Sequence, residues 1–263
     1  MTALAAAVRL LTIIPLPTRG SPDAMARSMA RSPAFFPLVG LGIGAAMAGV
    51  DTAALSVMPP LAAAGLALLT GAVLTGALHL DGLADTADGL FGGRTPERRL
   101  EIMRDPGTGA FGVTAIGVAL LLKAGTISSF TAPHAWVAVL LAPMLGRLAA
   151  VSVLSVFRYA REHGAGTPYQ SGQGRQKTGL INLAVAAAFS LVAAYVLAGP
   201  WALIALAASL AVGLATGAFA AARLGGGVTG DVYGAAVESA EAAALLSFTG
   251  LIGAGVTIAP IWT

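Results

Sequence analysis

Seven apolar segments punctuate the chain, at about 35–57, 61–80, 108–130, 134–157, 179–198, 201–222 and 236–259. Each is long enough, or nearly so, for the ~20 residues that a membrane-spanning helix needs. The connectors between them alternate in character. Those at 58–60, 131–133 and 199–200 are minimal, uncharged and contain proline, whereas those at 81–107, 158–178 and 223–235 are longer and polar. This pattern predicts an all-α fold, a polytopic membrane helical bundle of about seven transmembrane helices with short interfacial helices, and residues 1–263 as a single domain. Ahead of the first span, residues 3–16 form a short apolar run that carries Arg9 and ends in Pro15-Leu16-Pro17. It lacks the basic start and the small-x-small cleavage site of a signal peptide, so an interfacial or partly inserted helix is expected there. Residues 18–34 are polar and carry Arg19, Arg27 and Arg31.

Composition agrees with the membrane reading. The chain is 57% hydrophobic and only 10% charged, where a soluble domain averages about 25% charged. Of 15 Lys and Arg residues, all but Lys123 and Arg147 lie in the N-terminal region or the long connectors. The positive-inside rule then puts the N-terminal region and the long connectors in the cytoplasm and the C-terminus outside. That arrangement closes only with an odd number of spans. The net charge of +3 is accounted for by these cytoplasmic loops, and nucleic-acid binding is not expected. There is no cysteine, which excludes disulfides and Cys-ligated zinc or iron–sulfur sites. Gly40-x-x-x-Gly44 and Gly213-x-x-x-Gly217 offer close helix contacts, unless they reflect only a general enrichment in Ala and Gly.

Three of the 12 carboxylates fall within eight residues, as Asp81, Asp85 and Asp88 in the stretch His79-Leu80-Asp81-Gly82-Leu83-Ala84-Asp85-Thr86-Ala87-Asp88-Gly89. On a helix they share one face within an arc of roughly 60°. Ionised together, they need a positive partner. Mg²⁺, which commonly takes carboxylates and substrate phosphates, is the expected one. The alternative of a solvated acidic turn sits poorly after a long apolar segment.

The other polar features lie on the same side. Thr95 can cap and Pro96 can begin a short surface helix. Arg94 and Arg104 are candidates for holding substrate phosphates; topology signalling and lipid-headgroup contact would explain the arginines equally well. Asp105-Pro106-Gly107-Thr108-Gly109 leads into the third span. Glycines at a helix start let a ligand reach the backbone, and free N–H groups there favour an anion. Asp105, Gly107 and Gly109 are therefore candidate substrate-binding positions. The connector at 158–178, with Arg158, Arg161, His163, Arg175 and Lys177, is either a basic lid or a plain solvated loop. Asp231 and Glu238 share a helical face at the start of the last span. They are expected to face the first acidic cluster as a metal ligand or general base, which makes Asp88, Asp231 and Glu238 the candidate catalytic carboxylates. Asp51 and Lys123, about equally deep in their spans, are expected to pair. His79 is read as a packed or interfacial histidine that points away from the triad, and His134 as uninvolved.

Such a constellation suits phosphoryl transfer, with a metal offsetting charge on a pyrophosphate leaving group. His79 to Gly89, Arg99-Leu100-Glu101-Ile102-Met103-Arg104-Asp105-Pro106, Gly109-Ala110-Phe111-Gly112, Leu141 to Arg147 and Gly226 to Asp231 together resemble the cobalamin synthase (adenosylcobinamide-GDP ribazoletransferase) family, in order over essentially the whole chain. The resemblance implies a Mg²⁺-dependent enzyme of the bacterial inner membrane. It would join α-ribazole or its 5′-phosphate to adenosylcobinamide-GDP, release GMP, and face the cytoplasm; whether it is a homo-oligomer is left open. The rival reading is a phospholipid synthase of the CDP-alcohol phosphatidyltransferase type. Asp81-Gly82-Leu83-Ala84-Asp85 lacks the arginine of that pattern. A transporter should carry polar groups on both sides of the bilayer, and the short connectors are bare. A nonenzymatic assembly factor would need no carboxylate triad.

Overall fold

The computed structural model describes residues 1–18, 20–130, 134–160 and 175–263. The helices are α1 (Ala3–Leu11), α2 (Pro22–Arg31), α3 (Phe36–Ala54), α4 (Pro60–Thr75), α5 (Leu78–Gly92), α6 (Pro96–Ile102), α7 (Ala110–Ser128), α8 (Trp136–Val156), α9 (Arg175–Ala198), α10 (Ala202–Arg223) and α11 (Gly230–Gly253). A 3₁₀ turn, Ser32–Phe35, links α2 to α3. Six helices are long and apolar enough to cross a membrane; α4 and α5 make a seventh span only if taken as one broken element. The all-α polytopic bundle is therefore the observed architecture.

α8 is the axis of the bundle. Its candidate span is 94% buried, and α3, α9, α10 and α11 pack around it. Two glycine motifs make the closest of these contacts. A Cβ on Gly40 or Gly44 would collide with the backbone of Pro143 or Leu140 on α8, and one on Gly213 would sit 2.6 Å from Ala149 Cβ. Small residues here bring the helices within van der Waals reach where lipid gives no hydrophobic drive for association.

The break between α4 and α5 falls inside the expected 61–80 span. Gly76 and Ala77 both adopt left-handed conformations, with φ of 59° and 57°. The Ala77 N–H donates to Ala72 O at 2.8 Å and the Gly76 N–H to Val73 O at 3.1 Å, the paired bonds of a Schellman helix end. The Leu74 carbonyl accepts from the Ile13 N–H at 2.9 Å, so the chain after α1 closes the turn. The two helix axes differ by 89°. As a result the acidic stretch does not continue a spanning helix. It forms a separate helix laid against the start of α11.

α1 is nine residues long, about 14 Å at 1.5 Å per residue, too short to span. It packs on α2, the 3₁₀ turn and α3. α11 starts at Gly230, earlier than the expected 236, and a two-residue parallel bridge joins Arg158–Tyr159 to Gly227–Val228.

Candidate functional site

The segments carrying the acidic stretch, the glycine-rich start of α7 and the connector before α11 meet at one end of the bundle. Gly82 on α5 packs against α11 so closely that an added Cβ would lie 2.7 Å from Asp231 O, and Gly234 in turn faces the His79 backbone at 3.1 Å. This crossing brings Asp81 and Asp231 to the wall of one cavity of about 150 Å³, which also touches His79, Arg147 and Tyr233.

α5 is helical over the whole acidic stretch, so Asp81, Asp85 and Asp88 do share a face. That face runs from solvent into the protein: Asp81 is exposed, Asp85 half-buried and Asp88 buried. Asp88 has a specific job there. One carboxylate oxygen accepts from the Gly109 N–H at 2.7 Å and the other from the Gly112 N–H at 2.9 Å. A carboxylate from α5 thus caps the N-terminus of α7, where amides and dipole favour an anion. The glycines at this helix start make room for that carboxylate: a Cβ on Gly109 would lie 2.6 Å from Asp88 Oδ1. The anion on the Gly109 amide is the protein's own.

The remaining candidates surround this core. Thr95 accepts from the Arg98 N–H at 3.3 Å and Pro96 opens α6, as expected. Arg94, Arg104, Asp105 and Gly107 are all exposed, and Asp105 Oδ1 accepts from the Gly107 N–H at 2.9 Å in a local turn. Asp231 lies in the first turn of α11 and accepts from the Thr229 hydroxyl at 3.1 Å. Arg161 and His163 of the expected basic lid, and the side chain of Arg175, lie outside the described residues.

Glu238 lies two turns beyond Asp231, within a buried ion cluster. Lys123 donates to Glu238 at 2.6 Å and to Glu241 at 2.5 Å, and Arg147 pairs with the other Glu241 oxygen. All four side chains are buried, and two cations balance two carboxylates. The expected Asp51–Lys123 pair does not form. α7 packs against α4, α5 and α11, whereas α3 packs against α8 and α4; equal depth did not make the two helices neighbours at those residues. Asp51 Oδ1 is buried without a hydrogen-bond partner.

Among the described residues no three His, Cys, Asp or Glu side chains gather as a ready metal site. Sequence reasoning also missed two structural arginines. Arg99 donates to Gly93 O at 3.0 Å and to Arg223 O at 2.8 Å, and the Arg223 guanidinium lies 4.3 Å from the centre of the Phe219 ring. Together they tie the ends of α5 and α10. His79 is buried, as expected of a packed histidine, and lines the same cavity as Asp81.

Compared with known protein families, residues 3–249 match the family described as cobalamin-5-phosphate synthase. The chain belongs to the cobalamin-5-phosphate synthase family. Relatives in this family include the adenosylcobinamide-GDP ribazoletransferase of Roseiflexus sp. (strain RS-1), 40% identical over 92% of this chain and 87% of that protein. Another, of the same name, from Prosthecochloris aestuarii is 38% identical over 92% of this chain and 95% of that protein. That of Deinococcus radiodurans is 40% identical over 91% of this chain and 82% of its own length. No solved structure matches the chain. Membership of this enzyme family sets aside the phosphatidyltransferase, transporter and assembly-factor readings.

Proposed function

We propose that the chain is a Mg²⁺-dependent adenosylcobinamide-GDP ribazoletransferase. A ribose hydroxyl of α-ribazole, or of α-ribazole 5′-phosphate, attacks the phosphate joined to adenosylcobinamide in the GDP derivative; the bond to GMP breaks, GMP leaves, and adenosylcobalamin or its 5′-phosphate forms. The observation that carries this reading is the crossing of α5 on α11, which sets Asp81 and Asp231 on one cavity. Carboxylates from two helices are suited to orient an attacking hydroxyl and accept its proton. Arg94 and Arg104, both exposed, are suited to meet the diphosphate. Asp88 acts at one remove, by holding the start of α7 in place.

The donor set also bears on the metal. Asp88 is committed to two backbone amides, so the ligands proposed on α5 are centred on exposed Asp81, with Asp85 one turn further along the same face. Mg²⁺ usually binds through one or two carboxylates plus substrate phosphates, and that mode fits this chain better than a resident three-carboxylate site. When bound, the ion would offset charge on the diphosphate. The Lys and Arg distribution supports an orientation with this end facing the cytoplasm, in what we take to be a bacterial inner membrane.

The test is incubation of purified protein with adenosylcobinamide-GDP, α-ribazole and Mg²⁺, followed for GMP release. Release is expected with wild type and should fall at least 100-fold with Asp81→Asn. Absence of GMP release from wild type, with CDP-diacylglycerol and an alcohol as the control pair, would refute the assignment.

A further inference from the structure

The cavity between α5, α8, α11 and the N-terminal helices is more than a gap beside two carboxylates. Its walls include Leu11, Phe36 and Leu154, all apolar. Arg147 and His79 also line it, both buried, and His79 Nε2 has no hydrogen-bond partner. Its lining further includes exposed Asp81 and half-buried Asp231. A space with apolar walls and a few polar groups is the ordinary form of a small-molecule site. Its volume of about 150 Å³ resembles that of a buried apolar cavity that accepts a benzene-sized ring.

We propose that this cavity seats the aromatic base of the acceptor nucleoside, a fused apolar ring with one ring-nitrogen acceptor, while the ribose stays at Asp81 and Asp231. This rests on the ribazoletransferase reading and adds where the acceptor lies. The apolar walls take the hydrocarbon edge of the ring. His79 Nε2 donates to the ring nitrogen, which gives that buried nitrogen a partner it otherwise lacks. With the base buried, the sugar hydroxyl is delivered to the two carboxylates. In this arrangement the donor nucleotide is held outside the cavity, so the two substrates occupy separate places.

The experiment uses the full chain in detergent and equilibrium dialysis with two probes of similar shape, 5,6-dimethylbenzimidazole and naphthalene. Wild type should bind the benzimidazole at least tenfold more tightly. His79→Phe should abolish that preference while retaining naphthalene. Ala150→Phe, which fills the cavity from α8, should weaken benzimidazole at least tenfold. The same variant should raise KM for α-ribazole at least tenfold and leave KM for adenosylcobinamide-GDP within twofold. Leu154→Trp fills the space from another position and should act alike. Benzimidazole binding unchanged in both filled variants would overturn the proposal, as would a rise confined to KM for adenosylcobinamide-GDP. Dialysis needs no turnover, so a wild type that binds the base but releases no GMP refutes the transferase reading and leaves the cavity assignment standing.

Discussion

Asp88 illustrates how one residue's meaning depends on its partners. In sequence it is the third member of a carboxylate triad; in the fold it holds two amides of α7 at 2.7 and 2.9 Å. Charge-assisted bonds of this kind are worth about 1.5–3 kcal/mol each. Asp88→Ala is therefore expected to lower stability by about 3–6 kcal/mol, read as thermal unfolding in detergent. Asp81→Asn, on an exposed side chain, should leave the melting curve unmoved while lowering GMP release at least 100-fold. If both substitutions destabilised equally, the division between a capping and a reacting carboxylate would not hold. The Asp81, Asp85 and Asp88 face was legible from i, i+4, i+7 spacing. The burial gradient along it was not, because it comes from α7 and α11 packing over one end of α5.

Among the helices, the α4–α5 break matters most to the site. An alanine in the left-handed region carries a cost of about 1–2 kcal/mol that glycine does not. Ala77→Gly should thus raise the melting temperature, and Gly76→Ala should lower it, since its Cβ would lie 2.9 Å from Ile13 Cγ2. The opposite order would mean that the turn does not form. The glycines of α3 give a second comparison. Gly44→Ala places a methyl against the backbone of Leu140 on α8, while Gly42→Ala meets nothing within 4 Å. The first should cost about 1–3 kcal/mol through overpacking; the second should be neutral or slightly stabilising. The apolar spans were readable from hydropathy alone. The turn was not, since Thr75-Gly76-Ala77 reads as ordinary small-residue helix until Ile13 closes it.

For the molecule as a whole, the buried quartet of Lys123, Arg147, Glu238 and Glu241 joins α7, α8 and α11. Removing one partner of a buried pair costs about 3–5 kcal/mol because it strands a charge. Lys123→Met should therefore destabilise more than Lys123→Met combined with Glu238→Gln, which restores neutrality. Equal loss in the two would argue against the pairing. The membrane orientation has its own check. The chain has no cysteine, so single cysteines at Glu97 and Met58 can be labelled in cells with impermeant reagent. Met58→Cys should react from outside and Glu97→Cys only after the membrane is opened; the reverse would invert the topology.

Hydropathy, the Lys and Arg count and the spacing of three aspartates were enough to establish a helical membrane bundle with three aspartates on one helical face, because each is a property of neighbouring residues or of summed composition. The partners were another matter. Which helix Lys123 faces, what the Gly109 amide holds and which cavity His79 lines all depend on contacts between residues far apart in the chain. Those contacts follow from the 89° turn after α4 and from the glycine-mediated crossing of α5 on α11. One-dimensional spacing carries no information about either, so only the packed helices could decide them.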